Sequence, residues 1–178
     1  MSSEIVFTLT GPDRIGIVEE VARVLLDLGG NAGTSRMVRL GGQFAVLMMV
    51  TLPQGDASVV EQAFTGLAAQ GYKITVTPAG TSPLETAQEW LPYRIEVSGA
   101  DHEGIIHEIA RGLARVGINI ESAETGTLPS PVSGTPLFTM TALVAVPAEL
   151  DATDWIATLE QAADQSNVDV HVTIADAL

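Results

Sequence analysis

The sequence contains one segment twice, and this duplication limits the folds that the chain can adopt. Residues 11–31 and 99–119 agree at ten of 21 aligned positions, and the second copy begins 88 residues after the first. The apolar face of the segment is kept even where identity is lost, since Val18 becomes Ile106. The 178 residues therefore predict two units of the same fold, each of about 80–90 residues.

Hydrophobic periodicity alternates between strand and helix in the first copy. Apolar alternation over 4–10 predicts a strand, and apolar residues at helical spacing predict a helix that begins at Asp13, its expected N-cap, and ends near Leu28. The copy continues with strands over 34–40 and 43–52 joined by a tight turn at Gly41-Gly42, a helix that buries Val59, Val60, Ala63, Phe64 and Leu67, and a strand over 72–77.

The second copy repeats this order, which indicates the fold class. A β-α-β-β-α-β order packs two helices on one face of a four-stranded antiparallel sheet, which is the ferredoxin-like plan. We therefore expect an α+β protein of two tandem ferredoxin-like units. The second unit has expected strands over 93–98, 118–125, 137–146 and 168–174 and expected helices over 103–116 and 153–163.

The boundary between the units is expected within a polar, proline-containing stretch. We predict a first domain over 1–80, a linker over 81–92 and a second domain over 93–178. Ser82 and Glu85 have the spacing of a capping box, with proline at the first helical position. The linker is therefore predicted to form a short helix to about Trp90, with an extended segment as the alternative.

The balance of charges excludes several classes of partner. Eight Lys and Arg residues against 22 Asp and Glu residues give a net charge of −14, and such a surface repels nucleic acid and anionic membranes. The absence of cysteine excludes a disulfide scaffold and Cys-ligated zinc. No apolar run approaches the ~18 residues of a membrane span, and the N-terminus has no basic segment before an apolar one. We expect a cytoplasmic protein that binds neither nucleic acid nor membranes.

One segment breaks the symmetry of the two copies. Where the first has Gly41-Gly42, the second has residues 128–136, which are too polar and proline-rich to be strand and too long for a two-residue turn. Loops of this kind often carry binding functions. We expect a protein partner to bind here, through Pro129, Pro131, Ser133, Gly134 and Pro136.

The loop between the first strand and the first helix of each copy is the candidate ligand site. Glycines let the backbone approach a ligand, and free N–H groups in the first turn of a helix attract a carboxylate. The structural alternative is that Asp13 and Asp101 only cap helices, while the asparagines after the helices only form left-handed turns. The residues expected to bind a small zwitterion are Gly11, Pro12, Asp13, Arg14, Gly16 and Asn31 in the first copy and Asp101, His102, Gly104 and Asn119 in the second.

Catalytic signatures are scarce in this sequence. The three histidines, His102, His107 and His171, lack the spacing of a helical metal pair, and no nucleophile elbow, phosphate loop or dinucleotide fingerprint is present. His102 and His171 are expected to be solvated, and Met48-Met49 is expected to fill the core rather than hold a soft metal. We expect no catalytic residue, no metal and no cofactor.

Several segments carry a family resemblance that covers nearly the whole chain. Gly11-Pro-Asp-Arg-Ile-Gly16-Ile-Val and Asp101-His-Glu-Gly104-Ile-Ile resemble the loop before the first helix of ACT domains, ferredoxin-like modules that sense amino acids; Ile15 and Glu103 stand where proline is usual. Ser35-Arg36-Met37-Val-Arg39-Leu40-Gly41-Gly42-Gln43-Phe44 and Ser133-Gly134-Thr135-Pro136-Leu137-Phe138 are similar to segments of the glycine cleavage system transcriptional repressor family, whose members consist of two ACT-like units.

The resemblance implies a regulator without catalytic activity, which binds a small amino acid, glycine above all, and contacts a DNA-binding transcription factor. Such a protein need not touch DNA, which agrees with the acidic surface. Two alternatives stay open. One is a ferredoxin-like enzyme or enzyme subunit, in which Arg14 and Asn31 would serve an acylphosphatase-like reaction. The other is an adaptor that binds only protein, and the sequence leaves open whether the chain forms a homodimer.

Overall fold

The structure is a computed structural model that describes residues 2–53, 57–80, 89–129 and 134–175. The chain divides into two units, residues 1–82 and 83–178. Each unit contains a four-stranded antiparallel sheet with helices packed on one face. This confirms the predicted α+β class and the tandem ferredoxin-like plan.

The first unit has the strand order β2-β3-β1-β4. Its hairpin between β2 and β3 turns at Gly41 and Gly42, whose φ angles of 58° and 77° are those that a tight primed turn requires. Its elements are β1 (Ser3–Pro12), α1 (Ile17–Asp27), β2 (Asn31–Leu40), β3 (Gln43–Leu52), α2 (Ala57–Ala63), α3 (Thr65–Ala68) and β4 (Lys73–Pro78).

The core of the first unit lies between the sheet and its helices. Alternate residues of β1, Ile5, Phe7 and Leu9, are buried, as period-two alternation on a half-covered sheet demands. Phe7 contacts Phe64 from the helical layer, with ring centroids 4.7 Å apart. Met48 is buried in this core as predicted, whereas its neighbour Met49 is only partly buried and is not a core residue.

The second unit has the equivalent order β6-β7-β5-β8. Its core is centred on Trp155, whose ring contacts Tyr93 edge-on at a centroid distance of 5.2 Å. Its elements are β5 (Trp90–Ala100), α4 (Ile105–Arg115), β6 (Asn119–Pro129), β7 (Pro136–Pro147), α5 (Ala152–Gln165) and β8 (Val168–Ile174).

Two expectations about the helices of the first unit are wrong. The first helix begins after Gly16, so Asp13 is not its N-cap. The second helical stretch breaks at Phe64, which separates α2 from α3. Val60, Phe64 and Leu67 are buried as predicted, but Val59 and Ala63 are exposed, because the short helix turns only a narrow stripe toward the sheet.

Three strands of the second unit, β5, β6 and β7, are longer than the sequence predicted, whereas β8 has the predicted bounds. β5 begins at Trp90, which pairs with Pro147, so the last residues of the expected linker are strand; the rest of the predicted linker helix, 81–88, lies outside the described residues. β6 and β7 extend to the pair formed by Pro129 and Pro136. These prolines are tolerated because β6 is an edge strand and each proline stands at a strand end.

Candidate functional site

The loop after β1 is fastened to its own unit by backbone and side-chain contacts. The amide of Asp13 donates to the carbonyl of Gly42 at the tip of the β2–β3 hairpin, over 3.0 Å. The hydroxyl of Tyr72, which precedes β4, donates to the carbonyl of Pro12 over 2.6 Å. Gly11 lies directly against the Tyr72 ring, and a Cβ atom at Gly11 would come within 2.4 Å of Tyr72 Cδ1. The close contact with Tyr72 therefore requires a residue without a side chain at Gly11.

The charged side chains of this first loop are paired within the protein. The guanidinium of Arg14 forms an ion pair with Glu20 of α1 and lies 5.8 Å from the centre of the Tyr72 ring. The carboxylate of Asp13 is 3.6 Å from the guanidinium of Arg39 on β2. Each charge on the loop thus has an opposite charge beside it, which weakens its attraction for a ligand.

The loop after β5 is attached in a corresponding way by different residues. The amide of Asp101 donates to the carbonyl of Pro136 over 3.0 Å, as Asp13 does at the other hairpin. Gly99 lies against Val168, the first residue of β8, and a Cβ atom at Gly99 would be 2.7 Å from Val168 Cγ1. In the first unit the loop is held by the hydrogen bond between Tyr72 and Pro12. In the second unit it is held by His102, whose Nε2 is 2.6 Å from the carbonyl oxygen of Ser166.

His102 is held by two carbonyl oxygens at once. Its Nδ1 lies 2.9 Å from the carbonyl oxygen of Glu103, in addition to the Nε2 contact with Ser166. Carbonyl oxygens only accept hydrogen bonds, so both contacts are satisfied only when both ring nitrogens carry protons. The hydrogen bond to Ser166, then that to Glu103 and the nearby Asp101 carboxylate, raise the pKa of His102 above its ordinary value. The imidazolium also lies at the C-terminus of α5, where a positive charge is favoured.

This arrangement corrects the expectation that His102 is simply solvated. The side chain is exposed, but its ring bridges the loop to the end of α5. Sequence reasoning missed Ser166, Tyr72 and Arg39 as partners of the loops. The Ser166 carbonyl is 64 positions from His102, and a backbone carbonyl leaves no residue-type signal in a sequence.

Both helices that follow these loops begin at a glycine. Gly16 and Gly104 are the N-caps of α1 and α4, with φ angles of 86° and 95° and no capping side chain. The alternative interpretation of Asp13 and Asp101 as helix caps is therefore wrong. The first intrahelical hydrogen bonds are those of Glu20 with Gly16 and of Glu108 with Gly104, so the amides before Glu108 point out of the start of α4.

An open groove of about 480 Å³ lies beside the start of α4. The start of α4, His102 and Asp101 border this groove, and Ile105, Ile106 and Phe138 add apolar lining. Asp101 has only a long 3.5 Å contact with the hydroxyl of Thr127 as a side-chain partner among the described residues. The groove is lined by Asp101, His102, Gly104, Ile105, Ile106, His107 and Phe138.

The predicted asparagines do not join the loops within one unit. Asn31 and Asn119 are the first residues of β2 and β6, and neither has the left-handed conformation of the structural alternative. Asn31 pairs with Thr51 at one end of β3, whereas Pro12 pairs with Gln43 at the other end. Along a strand these ends are roughly 25 Å apart. Asn31 and Asn119 therefore take no part in a site at the loop of their own unit.

The predicted partner-binding segment is only partly described. Pro129 and Pro136 form the last pair of the β6–β7 ladder, and Gly134 has a φ angle of 70°. Pro131 and Ser133 lie outside the described residues. The described part of the segment borders the second loop, because the carbonyl of Pro136 accepts the hydrogen bond of Asp101.

Two further features bear on the kind of site. Within the described residues, no helix is both long and apolar enough to pass through a membrane. The histidine and acidic side chains of those residues form no group of three or more that could hold a metal ion.

Comparisons with known proteins agree with this fold. The ACT domain family model matches residues 3–76. A crystal structure of a protein of unknown function from Galdieria sulphuraria is 31% identical, with a TM-score of 0.87, and the match covers 99% of this chain and 100% of that one. A protein provisionally described as a glycine cleavage system transcriptional repressor is 18% identical, with a TM-score of 0.68 and 99% of both chains covered. No curated protein sequence matches the chain.

Proposed function

Because the chain belongs to the ACT-domain family, we propose that it is a regulatory protein without catalytic activity that binds a small amino acid and acts through a protein partner. The observation that carries the proposal is the groove at the start of α4. The start of α4, Asp101 and His102, whose pKa is raised by its hydrogen bonds to Ser166 and Glu103, all border this groove. The start of a helix and a protonated His102 both favour a carboxylate, and the Asp101 carboxylate favours an ammonium group. A free amino acid carries both of these groups.

The second unit is the better candidate for ligand binding. In the first unit Asp13 is paired with Arg39 and Arg14 with Glu20, so both charges are engaged. In the second, the hydrogen bonds of His102 go to neutral carbonyls and leave its positive charge available to a ligand. Glycine, the smallest amino acid, is the first ligand to test, since one full-length structural relative is provisionally described as a glycine cleavage system transcriptional repressor.

A variant that fills the groove tests this site. Ile106 lines the groove and is half exposed, so Ile106→Trp should block the space without disturbing the core. Val18 is the equivalent position of α1 and is exposed to a similar degree, which makes Val18→Trp the matched control. Calorimetric titration with the twenty amino acids should show binding to the native chain and to Val18→Trp, and loss of binding in Ile106→Trp. Equal binding by both variants would place the ligand elsewhere.

We further propose that the partner is a DNA-binding transcription factor, contacted through the segment from Pro129 to Pro136. Pro136 accepts the hydrogen bond of Asp101, so a ligand in the groove would be one hydrogen bond away from this segment. Replacement of residues 130–135 by Gly-Gly keeps the Pro129–Pro136 pair and removes only what lies beyond it. We expect this variant to bind amino acids normally and to lose its partner; retained partner binding would assign the contact to another surface.

A further inference from the structure

The first sheet has one face without helices, and the middle of this open face is apolar. The helices cover the face that carries Ile5, Phe7 and Leu9, so the alternate residues of each strand lie on the open face. Leu47 is 50% exposed there and Val38 59% exposed. Exposed apolar residues that form one patch are typical of a surface that contacts another protein. The apolar residues of this patch are Val6, Val38, Ala45, Leu47 and Met49.

The second sheet provides a comparison within the same chain. Its strand order is equivalent, and it also has helices on one face only. The residues at the five matched positions are, in the same order, Arg94, Gly126, Thr139, Thr141 and Leu143. Four of these five have no aliphatic side chain, so the fold itself does not require an apolar patch on this side of a sheet. Contact with another protein explains why the first sheet has one.

The open face is complementary to the same face of a second copy. Met49 pairs with Val6 and Leu47 pairs with Thr8, so Met49 and Leu47 lie on either side of the level of Phe7 in the sheet. A two-fold axis that crosses the strands at this level, parallel to the face, sets Leu47 of one copy over Met49 of the other. The same axis sets Val6 over Thr8. The apolar patch of each copy thus covers that of the other.

Two charges at opposite ends of the open face favour this axis. Glu4 lies near the start of β1, and Lys73 begins β4 at the level of Thr10. The two levels are six residues apart, or about 20 Å, and within the described part of the chain neither charge has an ion-pair partner. The axis across the strands exchanges the ends of the sheet, so Glu4 of one copy would lie over Thr10 and beside Lys73 of the other. An axis along the strands would instead keep these charges at opposite ends.

A third charge on the described part of this face is compatible with the same packing. Arg36 pairs with Leu47, so it lies on the open face. Across the axis it would lie over the irregular part of β2 between Ala32 and Ser35 of the other copy, where residues 33–34 carry no charge. The packing therefore brings no like charges together among these three residues.

The area of the open face is sufficient for a dimer. Four strands of six to ten residues, about 4.8 Å apart and about 3.4 Å per residue, form a face of roughly 600 Å². Two such faces would bury about 1,200 Å², which is the lower end of the range for stable protein interfaces. We therefore expect a dimer whose population depends on concentration.

We propose that two copies of the chain form a two-fold dimer in which the open faces of their first sheets pack against each other, with Leu47 of each copy over Met49 of the other. The contact is isologous, because both copies use the same surface. Burial of the apolar patch supplies the contact, and the ion pair between Glu4 and Lys73 sets its orientation. The dimer does not depend on the ligand of the groove.

A charged side chain in the middle of the open face tests the apolar contact. In sedimentation the native chain should show a mass above that of one 18.6 kDa chain, rising with concentration. Leu47→Lys should weaken this association by about tenfold or more, because two ammonium groups would enter the apolar centre of the dimer. Thr141→Lys makes the matched change at the equivalent position of the second sheet and should associate as the native chain does.

Reversal of the two end charges tests the orientation of the dimer. Glu4→Lys and Lys73→Glu each place like charges beside one another across the axis, so each should weaken association by about fivefold. The double variant restores opposite charges in every pair and should associate as the native chain does. An equimolar mixture of the two single variants should also recover association, because only the mixed dimer has opposite charges at both ends.

Several results would overturn the proposal. A single-chain mass at every concentration would leave the open face to a different partner. Native association of Leu47→Lys, or an equal loss in Thr141→Lys, would assign the contact between copies to another surface. A double charge variant that stays as weak as the single ones would exclude the proposed orientation. Circular dichroism of each variant confirms that it is folded, so a loss of association cannot be attributed to unfolding.

Discussion

Gly99 of β5 lies against Val168, the first residue of β8, with which it pairs in the sheet. A Cβ atom there would lie 2.7 Å from Cγ1 and 2.9 Å from Cα of Val168, and the Cα atom cannot move without shifting the strand. We expect Gly99→Ala to destabilise the second unit by about 1–3 kcal/mol, as overpacking usually does. Urea unfolding monitored by Trp155 fluorescence measures this change.

Gly66 provides the control for that substitution. It lies in α3 and a Cβ atom there has nothing within 4 Å, so Gly66→Ala should stabilise the first unit by about 0.5–1 kcal/mol. If Gly99→Ala and Gly66→Ala changed the free energy of unfolding equally, close packing would not be the reason for a glycine at position 99.

His102 should make the stability of the second unit depend on pH. Its pKa is raised in the folded chain, mainly by the hydrogen bond to Ser166, so folding favours the protonated ring. The resulting stabilisation is complete below the ordinary histidine pKa of about 6.5 and is lost as the pH rises through the folded value. We expect the melting temperature of the native chain to fall over this interval, and that of His102→Gln to fall less.

The matched control for His102 is His171. It is exposed on β8 and makes no hydrogen bond through its ring within the described residues. His171→Gln should therefore keep the native dependence of melting temperature on pH. If the melting temperature of His102→Gln depended on pH as that of the native chain does, the two hydrogen bonds of His102 would not be the cause of this dependence.

Three of the helices illustrate two different ways of starting a helix. α1 and α4 start at left-handed glycines, whereas α5 starts at Asp151, whose carboxylate accepts the amide hydrogen bond of Thr153 over 2.8 Å. A valine at Gly16 or Gly104 would be strained by the positive φ, so such a variant would combine backbone strain with any effect on a ligand. This is why groove filling at Ile106 is the better test of the site.

Loss of the Asp151 cap should be measurable. We expect Asp151→Ala to destabilise the second unit by about 1 kcal/mol, as removal of an N-cap does. Asp13→Ala should cost less, because it removes only a partly exposed ion pair with Arg39 and no cap. Chemical unfolding of the two variants compares them, and an equal or larger loss for Asp13→Ala would contradict this assignment.

The charge of the whole molecule sets its behaviour toward nucleic acid. The eight basic residues are dispersed among 22 acidic ones, and several of them are already paired with carboxylates, Arg14, Arg23, Arg39 and Arg111. Electrostatic affinity for DNA grows with the number of phosphates that are neutralised. We expect no DNA binding by the isolated chain even at ~50 mM salt, where such binding is strongest. A gel shift by the protein alone would contradict this expectation.

The sequence by itself determined the repeated architecture. The duplicated segment, the period-two strands and the Gly41-Gly42 turn predicted the element order, the helices on one face and the main core residues. These features are local, because periodicity and turn chemistry depend on neighbouring residues. Gly16 and Gly104 are predicted from the sequence to contact a ligand, which stays a prediction, whereas their left-handed conformation at the start of α1 and α4 is not evident from the sequence.

Only the tertiary structure decided which loop residues are partners and which are free. Asp13 finds Arg39, Arg14 finds Tyr72, and His102 finds Ser166, each through contacts between segments far apart in the chain. The same folding carries Asn31 to the opposite end of the sheet from the loop. Long-range pairing depends on how the strands align and on which side chains then fall within hydrogen-bonding distance. The two loops, so alike in sequence, therefore differ in the charge that they leave available to a ligand.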